Sequence, residues 1–591
     1  MQSFRGYGQV TGEQGRDGQK KKRLAIIGVS SIILVAMVVA VAVGVSHHSG
    51  SGSSESGSDN HVQDSMKAIK TICQPTDYKE ACVSSLTSVA GSNTTDPKEL
   101  VKLSFEVALE KVKKVAGQSA LLKEVEKDPG TRQALSICDE IMDYAIDELK
   151  NSIDQVGGFD LSNMEEIIEN IRSWLSAAIT YQETCVDAFE NTTSKAGEQM
   201  KKVMKTATKL TSNTLAIVTE LSDVFASFKI PNFNRRLLST SNEGFPEWVS
   251  QSKRRLFTED TPAESIPDVV VAQDGSGNCT TVNEALALVP AYGIKPFVIY
   301  VKEGIYKENV NIEKNMTNVF MIGDGPTKSV ITAGLNFVDG VKTFNTATVG
   351  VVGNGFVAKN MGFENSAGAE KHQAVALRVE SDFSIFYNCQ MDGYQDTLYA
   401  HTHRQFYREC TISGTIDFIF GNSAVVFQNC QIVVRKPLDN QQNTITAQGR
   451  TDRRSPTALI LHNCSIVADP EYYPLRNTLP TYLGRPWKEY SRAFILQSEI
   501  DDLVQPAGWL PWAGDFALNT LFYSEYDNRG PGAATAERVK WRGLKSITAE
   551  HAEKFTVARF LGGTEWIKNA SVPFIPGLIP QVSTDTVFGK V

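Results

Sequence analysis

The C-terminal half of the chain repeats one short β-like motif at intervals close to twenty residues. Each copy begins with a polar residue and a cysteine and ends in an apolar residue, at 388–391, 409–412, 429–432 and 463–466. The cysteines are 21, 20 and 34 residues apart, and 360–363 is an earlier variant without cysteine. A repeat of this length without intervening helices is typical of a parallel β-helix. A β-sandwich would need hairpin turns such as Asn-Gly or Asp-Gly, and few lie between candidate strands.

The region 63–226 has the periodicity of helices instead. Apolar residues recur at steps of three and four within 101–115, 135–149, 167–185 and 203–224, which predicts four amphipathic helices. Helices joined by short connections favour an up-down four-helix bundle. We find no catalytic cluster in this region, so we interpret it as a binding or regulatory module.

The N-terminus predicts entry into the secretory pathway. Residues 1–23 form a polar tail that ends in four basic residues, and 24–46 carry no charge. About 20 apolar residues suffice to cross a membrane, and the basic cluster should stay cytosolic. We therefore expect a transmembrane signal anchor that contacts the membrane in the precursor. A long, cleaved signal peptide is the alternative and leads to the same compartment.

Two linkers separate these parts. Residues 47–62 are a Gly/Ser linker. Residues 227–257 contain two basic sites, and the C-terminal domain is expected at 258–591. The basic sites are Arg235, Arg236, Leu237 and Leu238, then Arg254, Arg255 and Leu256. They are read either as a solvated charged linker or as sites where a processing protease releases the C-terminal part.

Composition limits the remaining classes. A chain of 591 residues predicts two to four domains, and 41% hydrophobic with 21% charged residues excludes a mainly disordered chain. The net charge of −8 gives no basic footprint for nucleic acid. Six glycosylation triplets are weak support for secretion. They stand at Asn93, Asn191, Asn278, Asn315, Asn463 and Asn569.

Nine cysteines leave at least one thiol unpaired within the chain. In an oxidising compartment they are read as disulfides. Among the first four, Cys73–Cys82 with Cys138–Cys185 is the simplest of three pairings. The other five cysteines are read as four disulfide candidates and one free thiol. The candidates are Cys389, Cys410, Cys430 and Cys464, for which 389–410 and 410–430 are both open, and Cys279 is the candidate free thiol.

Polar residues interrupt the β-like alternation at three places. Gln373 lies 23 residues before Asp396, and Asp396 lies 21 before Asp417. These gaps match one coil, so we expect the three side chains on one outer face, with the carboxylates on rungs about 4.8 Å apart. Two close carboxylates do not both ionise cheaply, so one can serve as proton donor while the other stays an anion. Arg485 is the expected cation partner for Asp417, and Trp487 could stack on a sugar ring.

Each of these residues also has a simpler interpretation. A lone aspartate would more often cap a turn or pair with arginine, but two at coil spacing favour function. His401 and His403 could form a metal pair, but with no third ligand nearby we interpret them as structural or rim residues. A Gly-x-Ser-x-Gly elbow is absent from the sequence, which argues against an α/β-hydrolase.

At these residues the chain resembles plant pectin methylesterases. The segments GYQDTLY, GTIDFIFGN, TAQGRTD and YLGRPWKEYSR stand as that family writes them. Residues 63–226 are similar to the pectin methylesterase inhibitor domain, including its four cysteines. The resemblance implies a right-handed parallel β-helix and a carboxylic ester hydrolase that de-esterifies homogalacturonan and releases methanol. Separate inhibitor proteins are further expected partners, and no cofactor or metal is implied.

The resemblance also implies roles for single residues. Asp417 is the nucleophile, and Asp396 is the proton donor and then the base. Gln373 and Gln395 stabilise the oxyanion, and Arg485 orients Asp417. Substrate contacts are implied for Thr343, Gln373, Arg485 and Trp487. The inhibitor-like domain is expected to keep the precursor silent until cleavage.

The C-terminal part departs from the family in its charge, and three other functions are considered for it. From residue 258 onward the chain has 29 Lys and Arg against 35 Asp and Glu, 29 − 35 = −6, whereas many relatives are thought to be basic. A glycoside hydrolase on the same fold would also use two carboxylates, but the two glutamines favour an oxyanion. A non-catalytic wall-binding protein predicts no effect of Asp417→Ala. A lyase would usually need a calcium cluster that the sequence lacks.

Overall fold

The computed structural model describes residues 57–89, 93–157, 164–192, 194–221 and 266–580. The predicted anchor at 24–46 and both basic sites of the linker lie outside the described residues. Among the described helices, none combines the length and the apolar character that a membrane span requires.

The N-terminal region is helical, as predicted. The helices are α1 Gly57–Ile72, α2 Lys79–Thr87, α3 Pro97–Val125, α4 Pro129–Gly157, α5 Met164–Asp187 and α6 Lys195–Thr219. The four long helices, α3 to α6, are those of the periodic stripes, and their apolar faces form one buried core. Their starts follow from local chemistry. Asp96 accepts a hydrogen bond from Lys98 N with Pro97 in the first turn of α3, and Ser194 caps α6 in the same way.

Both predicted disulfides of this region are confirmed. Cys73–Cys82 joins α1 to α2, and Cys138–Cys185 joins α4 to α5. The second bridge lies inside the core, where both cysteines are fully buried.

The C-terminal region is a parallel β-helix, also as predicted. Twenty-five strands of the described chain form three parallel sheets, and each successive strand of a sheet comes from the next coil. The first sheet contains β1 Val269–Val271, β2 Phe297–Val301, β5 Val319–Gly323, β8 Val357–Lys359, β11 Ser384–Tyr387, β14 Arg404–Arg408, β17 Ala424–Gln428, β20 Ala458–His462, β23 Arg492–Leu496 and β25 Phe522–Tyr526. The second contains β3 Gly304–Lys307, β6 Ser329–Ala333, β9 Gly362–Asn365, β12 Gln390–Asp392, β15 Thr411–Gly414, β18 Gln431–Val434, β21 Ser465–Ala468 and β24 Glu499–Ile500. The third contains β4 Val310–Ile312, β7 Val349–Val351, β10 Leu377–Val379, β13 Leu398–Ala400, β16 Ile419–Gly421, β19 Asn443–Gln448 and β22 Thr481–Pro486.

The repeated motif forms the corner between the first and second sheets. Its polar first residue has a left-handed backbone, with φ of 56° at Asn360, 50° at Asn388, 56° at Asn429 and 53° at Asn463. Asparagine tolerates this conformation better than most residues. The amides also stack between coils, since Asn388 Nδ2 donates to Asn360 Oδ1 and Asn463 Nδ2 to Asn429 Oδ1. The left-handed corner therefore explains why three of the four cysteine-containing copies begin with asparagine, and Glu409 of the fourth adopts the same conformation, with φ of 54°.

The prediction of disulfides within the β-helix was wrong. Cys389, Cys410, Cys430 and Cys464 are buried free thiols. Their side chains point the same way on successive rungs, into the coil interior, and each Sγ lies near a carbonyl of the preceding coil: Ala358 O, Phe386 O, Tyr407 O and Phe427 O, respectively. Cys279 is also free, as expected, and is half-buried.

Short helices complete the C-terminal region. They are α7 Val282–Leu286, α8 Ala549–Glu553, α9 Val557–Phe560 and α10 Gly563–Asn569. The last three cover the outer face of the first sheet, where Phe555 stacks on Phe494. The outer face of the third sheet is covered by the long helices of the N-terminal region.

Candidate active site

The two aspartates lie opposite each other on consecutive coils, as predicted. Leu398 of β13 pairs with Ile419 of β16, so Asp396 and Asp417, each two residues earlier, share one register position. Both have left-handed backbones, with φ of 63° and 50°. Such a conformation is uncommon for residues other than glycine, and it concentrates at functional sites. The spacing of 21 residues was therefore a correct measure of one coil.

Gln373 does not occupy the equivalent position one coil earlier. The pairing of Leu377 with Leu398 places Val375, not Gln373, opposite Asp396. Gln373 precedes that position by two residues, which is why its spacing to Asp396 is 23 rather than 21. The backbone of Gln395 accepts a hydrogen bond from Ala374 N, which holds the two glutamine-bearing segments side by side.

Asp417 is held by a cation and a hydroxyl. Arg485 donates from Nε to both carboxylate oxygens, at 2.9 and 3.1 Å, and from Nη2 to Oδ2 at 2.6 Å. Thr444 Oγ1 donates to Asp417 Oδ1 at 2.6 Å and accepts from Asp417 N at 2.9 Å. The predicted ion pair is present, and the buried Thr444 fixes both the carboxylate and the strained backbone beneath it.

Sequence reasoning missed Thr444. It occupies the register position of Asp417 in the next coil, since Ile419 pairs with Thr446. The intervening turn is longer there, so the spacing is 27 residues rather than 21. With the coil length interrupted, the sequence offered no signal that would have aligned it with the aspartates.

Asp396 is set up to hold a proton. Burial raises its pKa well above the ordinary value, and the nearby Asp417 carboxylate raises it further, against a lowering by Arg485. The side chain makes no hydrogen bond to the described residues that would stabilise its charged form. The pair therefore consists of a buried carboxyl group that favours its neutral form and a carboxyl group that is paired with arginine.

Two side-chain amides and a group of aromatic rings lie near Asp396 and Asp417. We call the rings of Tyr399, Phe420 and Trp487 the aromatic floor. The side chains of Gln373 and Gln395 are half-buried and have no hydrogen-bond partner among the described residues. Behind them the rings of Tyr399 and Phe420 stack at 4.2 Å, with Trp487 edge-on to Phe420 at 6.0 Å. The two amides and the rings of Tyr399 and Phe420 therefore lie on segments that adjoin the two aspartates.

Further aromatic rings extend this floor beyond the predicted residues. The guanidinium of Arg485 lies 4.4 Å from the centre of the Trp512 ring. The half-buried Thr343 begins a short 3-10 turn, Thr343–Thr346, that carries the buried Phe344. Tyr399 and Phe420 each follow a candidate aspartate by three residues, a regularity that could have identified them.

The helical region lies directly on this floor. Phe344, Tyr399 and Phe420 belong to the same buried cluster as the long helices, and Trp487 and Trp512 pack against it. Polar contacts cross the same boundary. They join Thr180 to Asn422 at 2.8 Å, Asp187 to Lys488 at 2.6 Å, Ser212 to Asp452 at 2.5 Å and Asp77 to Arg454 at 2.5 Å. The candidate site is thus covered in this structure.

The two histidines lie at this boundary. His401 Nδ1 contacts Glu380 at 2.8 Å, and its Nε2 contacts Thr184 of α5 at 2.7 Å. His403 Nε2 lies 3.6 Å from Glu148 of α4. Both side chains are buried and engaged by the helical region, which agrees with the structural interpretation.

Two protein-family models match the chain. The family model described as pectinesterase matches residues 268–564, and the model described as plant invertase/pectin methylesterase inhibitor matches 67–217. The chain belongs to the pectinesterase family. It is a pectin methylesterase that carries an inhibitor-like helical domain, and both resemblances drawn from its motifs are confirmed.

Relatives match along almost the whole chain. A probable pectinesterase/pectinesterase inhibitor of Arabidopsis thaliana is 50% identical over 575 residues, covering 96% of this chain and 85% of the relative. Pectinesterase 3 of Phaseolus vulgaris is 45% identical over 590 residues, covering 97% and 99%. Among solved structures, pectin methylesterase from carrot is 51% identical with a TM-score of 0.53. It covers 54% of this chain and 99% of its own.

The glycosylation candidates differ in accessibility. Asn93, Asn191, Asn278 and Asn569 are exposed, whereas Asn315 and Asn463 are half-buried. Asn463 also belongs to the amide stack at the corner of the coil. The first group therefore offers the better acceptors.

Proposed function

We propose that this pectinesterase cleaves methyl esters of homogalacturonan through Asp417 as nucleophile and Asp396 as acid and base. One observation carries the assignment: consecutive coils hold a carboxylate fixed by Arg485 next to a carboxyl group whose pKa is raised by burial. The first is ready to attack, and the second is ready to give a proton.

The reaction divides into two steps. A carboxylate oxygen of Asp417 attacks the ester carbonyl, and the tetrahedral intermediate collapses to an acyl-enzyme anhydride. The C–O bond to the methoxy group breaks, and Asp396 donates its proton, so methanol leaves. Asp396, now ionised, takes a proton from water as the water oxygen attacks the uronate carbonyl of the anhydride. The C–O bond to Asp417 breaks, which restores the Asp417 carboxylate and the protonated Asp396, and the uronic acid that is formed loses its proton to solvent.

The two glutamines supply the oxyanion donors in this proposal. Their amides border the pair without partners among the described residues, so they are available to the developing negative charge. The ring of the uronate would lie against the aromatic floor, with Trp487 and Thr343 as contacts. Removing one such donor typically costs about 10²–10³ in rate, which sets the size expected for Gln373→Ala.

The test is methanol release from methylated pectin by residues 258–591, compared with Asp417→Ala. We expect methanol and intact polymer chains from the wild type and none from the variant. New reducing ends would instead indicate a glycoside hydrolase. Equal methanol release by Asp417→Ala would refute the assignment of the nucleophile.

We also propose that the helical domain silences the enzyme until the linker is cleaved. It packs on Tyr399, Phe420 and Trp487, the surface that the substrate needs. The ion pairs Asp187–Lys488 and Asp77–Arg454 hold it there. Cleavage at 235–238 or 254–256 by a processing protease would turn this contact from intramolecular to intermolecular and lower the effective concentration of the inhibitor.

This second proposal has its own test. The full chain after residue 46, with both basic sites replaced by Gly/Ser, should release methanol at a small fraction of the rate of 258–591. Full activity of that uncleavable chain would contradict silencing.

We further propose that the protein acts in the plant cell wall after passage through the secretory pathway, with a membrane contact at 24–46 in the precursor.

A further inference from the structure

One arginine holds the turn 393–397, which contains the second glutamine and the first aspartate of the candidate site. This turn connects β12 to β13. Arg435 Nη1 donates to the carbonyl of Gly393 at 2.9 Å, and Arg435 Nη2 donates to Tyr394 Oη at 2.9 Å. The guanidinium carbon also lies 4.0 Å from the centre of the Tyr394 ring. Two hydrogen bonds and one ring contact therefore join Arg435 to the two residues that precede Gln395.

The β-helix fixes the position of Arg435 itself. The residue directly follows β18, two coils beyond the strand that leads into the turn, since β12 pairs with β15 and β15 pairs with β18. Its backbone N–H donates to Gly414 O at 2.8 Å, and Asn443 Nδ2 donates to its carbonyl at 3.2 Å. On the next coil, Asp469 Oδ2 lies 3.9 Å from its Nε. Contacts on three successive coils thus fix the place from which the guanidinium reaches back to the turn.

The turn depends on such support because its two functional side chains have none of their own. Within the described chain, no side-chain hydrogen bond fixes the amide of Gln395 or the carboxyl group of Asp396. Their positions therefore follow from the backbone, which at Asp396 is left-handed with φ of 63°. Such a conformation persists only where neighbouring contacts impose it. One contact is the hydrogen bond from Asp396 N to Ile416 O at 3.0 Å, and Arg435 supplies a second from the other end of the turn.

We propose that Arg435 is a positioning residue for the esterase reaction, which acts through Gly393 and Tyr394 to hold Gln395 and Asp396 in place. The inference rests on the proposed function, because it takes Gln395 as an oxyanion donor and Asp396 as the acid. Both Nη groups of Arg435 donate to the turn, so the guanidinium holds protein and does not touch the reacting atoms. The planar fork of arginine suits this task, since it reaches two acceptors in one fixed geometry.

The experiment measures methanol release from methyl-esterified homogalacturonan by residues 258–591, with kcat and KM fitted separately. This part has its own buried cores, and the carrot enzyme matches only 54% of the chain with 99% of its own, so it is expected to fold alone. Arg435→Met removes both donors and keeps most of the side-chain length. Because a misplacement near 1 Å can cost about 10²-fold, we expect kcat to fall about 10–100-fold and KM to stay within about twofold.

A pH profile distinguishes a positioning role from a loss of stability. In the proposed mechanism kcat falls at alkaline pH as Asp396 loses its proton. A looser turn would admit water to this carboxyl group, and a better solvated carboxyl group ionises at lower pH. The alkaline fall of kcat should therefore begin at lower pH in Arg435→Met than in the wild type.

Two further variants grade the contact. Tyr394→Phe removes the Oη acceptor and keeps the ring, so we expect kcat to fall about threefold. Arg435→Lys keeps the charge but lacks the planar fork, so its kcat should lie between those of the wild type and Arg435→Met. Because Arg435→Met and Tyr394→Phe break the same contact, the first should lower kcat less in the background of the second than in the wild type.

A second arginine–tyrosine contact of the same kind provides the matched control. The guanidinium carbon of Arg476 lies 3.9 Å from the centre of the Tyr473 ring, and its Nη1 donates to the Tyr473 carbonyl at 2.9 Å. The short helix there, Tyr473–Leu475, contains none of the candidate site residues. Arg476 also pairs with Asp502, so Arg476→Met should lower the melting temperature. Its kcat should stay within about twofold of the wild type, since no reacting group is displaced.

The outcomes separate this inference from the proposed function. A folded Arg435→Met protein with the wild-type kcat would overturn the positioning role, and so would a change confined to KM, which would indicate that Arg435 binds the polymer. An equal fall of kcat in Arg476→Met would also overturn it, because kcat would then report stability alone. If Arg435→Met does not fold, Arg435→Lys and Tyr394→Phe decide, and wild-type kcat in both overturns the inference. No methanol from the wild type would refute the proposed function instead.

Discussion

Thr444→Val tests whether the site depends on the hydroxyl that sequence reasoning missed. The side chains have nearly the same shape, so the change removes two hydrogen bonds and little volume. The carboxylate loses a donor at 2.6 Å, and the backbone N–H of Asp417 loses its acceptor at 2.9 Å. A hydrogen bond to a charged group contributes about 1.5–3 kcal/mol, and an unpaired buried N–H costs about 1–3 kcal/mol.

These losses should appear in both rate and stability. Asp417 has a left-handed backbone, with φ of 50°, and without Thr444 only Arg485 orients its carboxylate. Since a misplacement near 1 Å can cost about 10²-fold, we expect kcat for methanol release to fall about 10–100-fold. KM should change little, because Thr444 lies beneath the carboxylate and not in the groove. The melting temperature should also fall.

A neighbouring threonine provides the control. Thr446 is on the same strand, is equally buried, and donates to the carbonyl of Leu483 at 2.9 Å, away from the aspartates. Thr446→Val should lower the melting temperature but leave kcat within about twofold, and Thr444→Ser should recover most of the activity. A donor also weakens a nucleophile, so the opposite result has a physical basis. If kcat of Thr444→Val equals or exceeds that of the wild type, the positioning argument is refuted.

Three further predictions concern the acid, a disulfide and the domain contact. Because the pKa of buried Asp396 is raised from 3.8, the stability that its neutral form provides is complete below 3.8 and is lost as pH rises through the raised value. Between pH 4 and pH 8 the melting temperature of Asp396→Asn should therefore fall less than that of the wild type. Equal falls in melting temperature would count against the raised pKa. The kcat of this variant should be about 10²–10⁴-fold lower than that of the wild type. Replacing Cys138 and Cys185 by serine opens a loop of 47 residues, which in the loop-entropy relation costs about 4 kcal/mol; denaturant unfolding of the full chain checks this, and an unchanged midpoint would contradict it. Asp77→Ala removes the partner of Arg453 and Arg454, so methanol release by the uncleavable chain should rise, whereas Lys113→Ala, which removes a pair within α3, should leave it unchanged.

Much of the candidate site could be predicted because it depends on local sequence and on a constant coil length. Asp396 and Asp417 are separated by one regular coil, so counting 21 residues was enough to place them opposite each other. Gln373 was expected at the same position and lies two residues before it, since the spacing of 23 includes residues of the turn rather than the strand. Thr444 could not be aligned, because a longer turn changes the coil length there.

The cysteines show a second kind of limit. Spacing places Cys389, Cys410, Cys430 and Cys464 on neighbouring coils, and neighbours in space were taken as candidate disulfides. The structure confirms that they are neighbours, since Cys410 contacts both Cys389 and Cys430, and Cys430 contacts Cys464, but all four are free thiols of one buried ladder. In the helical domain, by contrast, Cys138 and Cys185 face each other from two helices, and they pair.

The sequence by itself determined the two architectures, the order of the domains and the identity of the carboxyl pair. These follow from periodicity and spacing, which are properties of short stretches of chain. Only the tertiary structure decided that the helical domain covers the aromatic floor, that Asp187 forms an ion pair with Lys488 and that Thr444 donates a hydrogen bond to Asp417. The first two contacts join residues far apart in sequence and depend on the complementary shape and charge of two folded surfaces, which no local pattern records. The third depends on the length of one turn, which puts Thr444 27 residues after Asp417 rather than 21.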